Sequence, residues 1–158
     1  MTFKTVTRNA EETRVLAARL GRKARAGDVI CLFGPLGSGK TTFVQGFVKA
    51  AGFRGSAASP TFSLLRQYPA HRLRIYHADF FRIQPRELEN LGMEEWLEDP
   101  EGVSLIEWPE AARQLLPADR VEIAFAHLND GSRALRFEGM GPRADRLLAD
   151  ISNENSRC

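Results

Sequence analysis

Cysteine is almost missing from this chain: there are two in 158 residues, Cys31 inside an apolar run and Cys158 at the last position. Neither their number nor their spacing makes a disulfide framework or a zinc site, so a reducing cytoplasm is the expected compartment. Long apolar runs are missing as well, and none approaches the roughly 18–20 residues that cross a bilayer. The opening stretch MTFKTVTRNAEETR has no apolar core and no small-residue cleavage site, so neither a secretory signal nor a membrane partner is expected. Charge of one sign is also lacking, with 22 Lys plus Arg against 20 Asp plus Glu. That near-balance argues against direct nucleic-acid binding, which calls for a clustered basic face. Repeats, low-complexity tracts and Gly/Ser linkers are absent, and 43% hydrophobic with 27% charged residues excludes disorder across the whole chain. One domain over residues 1–151 is expected, followed by a flexible tail from 152 to 158.

Strand and helix signals alternate. Phe3 to Val6 reads as a short edge strand. Asn9 or Thr7 offers an N-cap, Glu11 and Glu12 suit a first helical turn, and Thr13, Leu16, Ala17, Leu20 and Ala24 recur at helical spacing. Val29 to Phe33 is apolar without alternation, as in a central parallel strand buried on both faces. A glycine-rich turn follows, then a helix from about Lys40 to Ala51. Phe62 to Tyr68 and Arg72 to His77 read as a hairpin, and Pro85 opens an acidic helical region. Val103 to Ile106 is a second buried-type strand. Strands near Val121 to Phe125 and Ala134 to Phe137 flank a turn at Asn129-Asp130-Gly131, and Arg143 to Ile151 reads as a helix. The class is α/β, a three-layer sandwich around a mixed central sheet.

The strongest signal is Gly34-Pro-Leu-Gly-Ser-Gly-Lys-Thr41, a complete G-x-x-x-x-G-K-[ST] pattern between a buried strand and a helix. Gly34, Gly37 and Gly39 allow positive φ and bring backbone amides close to an anion. The helix N-terminus beyond them favours phosphate. Lys40 can neutralise phosphate oxygens, and the Thr41 hydroxyl can ligate Mg²⁺. Pro35, Leu36, Gly37, Ser38, Gly39, Lys40, Thr41 and Thr42 are therefore the candidate nucleotide-binding run of a P-loop. Two acids close extended segments, Asp79 and Glu107, and a carboxylate just past a parallel strand emerges at the same sheet edge as the P-loop. Either can hold Mg²⁺ or orient the attacking water. With Lys40 they form the candidate catalytic set, and with Thr41 the candidate metal set. Thr61, in Ser59-Pro-Thr-Phe62, is a candidate hydroxyl for metal or phosphate. His77 stands two residues from Asp79 and is a candidate partner for it, although a satisfied structural histidine is the commoner case. Arg82 and Arg133 are candidate charge stabilisers, while Trp96 and Trp108 read as core or interface aromatics. No Cys/His/Asp metal cluster and no Ser–His–Asp pattern stands out.

Taken in order, Gly34 to Phe43, Ser59 to Phe62, His77-Ala-Asp-Phe-Phe-Arg82, Pro85 to Glu89 and Leu105-Ile-Glu-Trp-Pro109 resemble the TsaE (YjeE) family of small bacterial P-loop ATPases. That family serves the synthesis of N6-threonylcarbamoyladenosine in tRNA. The likeness covers about residues 10 to 137. It departs at Pro35, where the family usually has an acidic residue, and at Phe81, where it usually has Tyr. The resemblance implies an ATPase using ATP and Mg²⁺ that docks on the TsaD–TsaB pair, the proteins that transfer the threonylcarbamoyl group, and that meets tRNA only indirectly. It also implies that Glu107 is a metal or water ligand, that Asp79 is needed near the γ-phosphate and that Thr61 lies in a switch-like loop. Arg133 falls in a region near the nucleotide, and Thr7 to Thr13 helps wall the adenine. A small P-loop kinase and a non-hydrolysing ATP-dependent switch are the alternative readings.

Overall fold

A computed structural model of the chain describes residues 1–55, 57, 64–71 and 73–155, the last three by backbone alone. Among them no helix is long and apolar enough to cross a membrane. In chain order the elements are β1 (Thr2–Thr7), α1 (Ala10–Lys23), β2 (Val29–Phe33), α2 (Lys40–Ala50), β3 (Leu65–Pro69) and β4 (Arg74–Asp79). They continue with α3 (Pro85–Glu89), α4 (Met93–Leu97), β5 (Gly102–Glu107), a 3₁₀ segment (Pro109–Leu115), β6 (Arg120–His127), β7 (Arg133–Met140) and α5 (Pro142–Asn155). All seven strands join one sheet in the order β1-β7-β6-β2-β5-β4-β3. The apolar run Val29–Phe33 sits at its centre, parallel to β5 on one side and β6 on the other. β4 continues the parallel core, and the outer strands pair antiparallel, so the sheet is mixed as expected.

Alternation along the strands builds the three layers. Ile30 and Leu32 pack with Leu16, Leu20, Phe43 and Phe47 of α1 and α2 and with Leu147 of α5. Val29 and Cys31 face the other way, onto Met93 and Trp96 of α4 and Ala112 of the 3₁₀ segment. Burial pushes the Cys31 thiol up to about 12, which leaves it inert as a nucleophile. α1 starts where the sequence places it. The Asn9 side chain accepts from Glu12 N at 2.9 Å, and the Glu12 carboxylate accepts from Arg8 N, one residue before the cap, at 2.7 Å.

Several boundaries differ from the sequence reading. The ladder between β4 and β5 runs one step further than the apolar residues do, so Asp79 and Glu107 are the last residues of their strands rather than the first beyond them. The acidic region is two short helices, because Gly92 turns left-handed at φ 64° between them. α5 runs on past Ile151 to Asn155. Of the predicted strand Phe62 to Tyr68, the described part begins at Leu65, and residues 62 and 63 lie outside the described residues.

α5 is clamped to the start of β2 by Arg146, whose Nη2 donates to both carboxylate oxygens of buried Asp28, at 3.1 and 3.0 Å. Burial raises the Asp28 pKa above its ordinary value, and the backbone amide of Arg25 and the Arg146 guanidinium act against that rise. Because the folded pKa is the higher one, ionising Asp28 costs stability as pH rises, and Arg146 offsets the cost. Arg146→Ala is expected to lower stability by about 3 kcal/mol at neutral pH. The loss should shrink as acid protonates Asp28, which denaturant titrations at pH 4 and pH 7 would show.

Candidate functional site

The C-terminal ends of β2, β5 and β4 lie side by side, with Leu32 opposite Glu107 and Glu107 opposite Asp79. The glycine-rich turn leaves β2 at this edge. Gly34, Gly37 and Gly39 all take positive φ, at 144°, 75° and 104°. A side chain at Gly39 would meet the Arg133 side chain at 3.1 Å, whereas the space around Gly37 is open. Gly39 is the N-cap of α2 and supplies no side chain to cap it. The first-turn amides of α2 are thus left for another acceptor, and the dipole of an eleven-residue helix adds partial positive charge.

Lys40, the first residue of α2, is buried and folds back over the turn. Its Nζ donates to the carbonyl of Gly34 and, at 3.1 Å, to that of Pro35. It also sits 4.0 Å from the ring centroid of Trp108, a cation–π contact. Burial lowers the Lys40 pKa, while the Glu107, Asp79 and Glu110 carboxylates act against that shift. Thr41 Oγ1 donates to Glu107 Oε1 at 3.2 Å, tying the helix start to the end of β5. Asp79 Oδ1 accepts from Phe81 N at 2.9 Å, which shapes the turn after β4.

These residues surround a cleft of about 210 Å³ lined by Leu36 to Thr42, Asp79, Phe81, Glu107, Trp108 and Arg133. Larger hollows exist, about 640 Å³ between α1 and α2 and about 750 Å³ beside Phe53. Among the described residues neither contains a glycine-rich turn or a hydroxyl–carboxylate pair, so chemistry rather than volume selects the smaller cleft. The residues present suit a nucleotide phosphate tail with Mg²⁺. Buried Ser38 Oγ and Arg133 Nε have no hydrogen-bond partner among the described residues, and both belong to residues that line the cleft. Buried polar atoms left unpaired in this way are costly unless an acceptor or water reaches them. A hydroxyl facing a carboxylate is an oxygen donor set of the kind Mg²⁺ prefers.

Nearly all the candidate residues named from sequence meet here. Pro35 enters through its carbonyl rather than through the cleft wall. Thr61 lies outside the described residues. The register of β1 with β7 sets Thr7 opposite Arg133, which brings the start of the Thr7 to Thr13 segment to the cleft's border. Arg82 stacks its guanidinium 4.9 Å from the Phe81 ring centroid and does not line the cleft.

Trp108 packs at the rim of the second core cluster. A left-handed backbone, φ 54°, turns its half-buried indole over Lys40 and to within 4.8 Å of the Phe81 ring. His77 bonds not to Asp79 but to Glu107, with Nε2 and Oε2 2.6 Å apart. Successive residues of a strand point to opposite faces, so residues two apart share one; His77, however, faces Leu105 across the ladder, and Glu107 lies two beyond on that same face. Only the parallel register makes them neighbours. Trp96 is a core aromatic, as expected.

Comparison with known proteins identifies the family. The family model described as "Threonylcarbamoyl adenosine biosynthesis protein TsaE" matches residues 7–135. A curated protein of Bacillus subtilis, "tRNA threonylcarbamoyladenosine biosynthesis protein TsaE", is 35% identical over 95% of this chain and 94% of its own length. Its namesake in Nostoc is 36% identical over 88% of this chain and 87% of that protein. The crystal structure of Bacillus subtilis YdiB superposes with a TM-score of 0.85 at 31% identity, covering 98% of this chain and 97% of that one.

Proposed function

This chain belongs to the TsaE family of tRNA threonylcarbamoyladenosine biosynthesis, and from that premise we propose that it binds Mg-ATP at Gly34 to Thr42 and hydrolyses it slowly in support of the TsaD–TsaB pair. The observation that carries this reading is the Thr41–Glu107 hydrogen bond across the mouth of the glycine-rich turn, beside a buried Lys40. It joins a hydroxyl, a carboxylate and an ammonium where a triphosphate tail would lie.

The chain's own groups divide the work. The amides of Gly37, Gly39 and the first turn of α2 bind phosphate oxygens, and Lys40 neutralises charge on the β- and γ-phosphates. Thr41 and Glu107 hold the metal. Bound Mg²⁺ supplies charge neutralisation as the γ-phosphoryl group transfers. Asp79, on the neighbouring strand end, accepts a hydrogen bond from the attacking water. The water oxygen bonds to the γ-phosphorus as the bond to the ADP oxygen breaks. Positioning and fixed charge supply most of the acceleration. Thr61 contributes from the segment before β3, Arg133 and Thr7 to Thr13 border the nucleotide, and residues 1–151 act as one unit in the cytoplasm, meeting tRNA through the partner proteins.

A kinase would need an arginine-bearing lid over its second substrate. Within the arginine-rich stretch Arg66 to Arg86, Arg66 and Arg74 are instead built into the sheet, with Arg66 paired to His77 in the β3–β4 ladder and Arg74 bonded to Asp99 at 2.7 Å. That supports hydrolysis over transfer to a metabolite. The test is phosphate release by the purified chain, alone and with the TsaD–TsaB pair. Slow release alone and faster or productive turnover with the pair is expected. Nucleotide binding without any hydrolysis, with or without the pair, would favour the switch reading instead. Glu107→Gln should reduce hydrolysis by about 10²–10³-fold, the usual cost of losing one charge-stabilising group, and should weaken its dependence on Mg²⁺.

A further inference from the structure

We propose that His77 is a positioning residue for the metal-holding carboxylate, acting through its Nε2–H and through no other atom. The proposal rests on the reading of Thr41 and Glu107 as the metal pair. Glu107 has two carboxylate oxygens with separate duties: Oε1 accepts from Thr41 Oγ1 at 3.2 Å, and Oε2 lies 2.6 Å from His77 Nε2. Side chains of both His77 and Glu107 are out of solvent, at 0% and 3% exposure. The imidazole, not solvent, therefore holds this oxygen in the folded chain.

The geometry selects the tautomer. A carboxylate oxygen presents only lone pairs, so the nitrogen facing it at this distance carries the hydrogen. His77 Nδ1, also buried, has no hydrogen-bond partner among the described residues. The imidazole is held in place by packing instead. Its ring lies 29° from parallel to Tyr68, with centroids 6.1 Å apart, and its strand is hydrogen-bonded on both edges. A rigid ring on a doubly paired strand is a fixed post, and a Glu side chain at a strand end has three torsions to lose. Bonding one oxygen to the post turns the other toward Thr41. Groups that orient a metal ligand in this way typically change metal affinity or activity about 10–100-fold when removed.

Because Gln sets an amide N–H near the Nε2 position and Asn sets one near Nδ1, the two substitutions separate this role from simple packing. Calorimetric titration of a non-hydrolysable ATP analogue across a range of Mg²⁺ concentrations reads the metal directly. His77→Gln is expected to keep the wild-type Mg²⁺ dependence within about 3-fold. His77→Asn and His77→Leu should need about 10–100-fold more Mg²⁺ for half-maximal enhancement, with Mg²⁺-free binding unchanged. Melting temperatures of the Gln and Asn variants should agree closely, so any difference in Mg²⁺ dependence is not one of folding. Equal losses in Gln and Asn, or none in either, would overturn the proposal. Glu107→Gln is the companion variant. If it leaves the Mg²⁺ dependence as in wild type, the metal-pair reading itself fails. If it removes that dependence while the His77 variants do not, only the positioning role fails.

Discussion

Lys40→Ala should reduce ATP hydrolysis by at least about 10²–10³-fold and weaken nucleotide binding, with the fold retained. Its ammonium lies over the turn, on the carbonyls of Gly34 and Pro35, and within the cleft. Burial lowers its proton affinity, while the Glu107, Asp79 and Glu110 carboxylates act in the other direction. Removing a preorganised charge from such a site typically costs two to three orders of magnitude in turnover. Lys40→Arg should rescue little, since a larger planar fork cannot replace a compact ammonium folded back onto the Gly34 and Pro35 carbonyls. Phosphate release, calorimetric nucleotide binding and thermal melts on both variants check this. Wild-type binding and hydrolysis in Lys40→Ala would show that the cleft is not where the triphosphate sits.

The largest expected loss of stability lies away from that cleft, between α1 and α2. A side chain at Gly46 would fall 2.4 Å from the Arg14 carbonyl oxygen and 2.7 Å from its Cα. One at Gly21 would fall 2.3 Å from the Phe47 carbonyl oxygen. Both obstructions are backbone, so the two helices touch main chain to main chain and cannot yield by turning a rotamer. Gly46→Val should cost about 3 kcal/mol or more and lower the melting temperature by ~10 °C. Activity should fall with it at temperatures where the protein is still folded. α2 begins with Lys40 and Thr41, and displacement by about 1 Å can cost about 10²-fold in rate. A melting temperature within about 2 °C of wild type would show that the helices separate freely.

The glycine-rich turn was legible because everything it needs is local: positive φ at three glycines, a lysine and a hydroxyl at fixed offsets, an apolar strand before and a helix after. The edge strand, the cap at Asn9 and the alternation of strand and helix were legible for the same reason. Other features were not. Phe81 and Trp108 line the cleft although nothing in their immediate neighbours distinguishes them from core aromatics; their one signal was standing just past the two acidic strand ends. His77 was matched with the wrong acid because two residues of separation in sequence drew it to Asp79, whereas the ladder between β4 and β5 sets it beside Glu107. Gly46 carries no local signal inside its helix, and its role is visible only once α1 lies against it.

By itself, the sequence determined the glycine-rich turn and the α/β class, since short-range periodicity and spacing carry both, and its resemblance to known motifs pointed to the family. The tertiary structure alone decided that Thr41 meets Glu107, that His77 holds the far oxygen of that carboxylate, and that Trp108 covers Lys40. These depend on which strands pair and in what register, and register is set by packing two faces of a sheet at once, a condition no single stretch of chain contains.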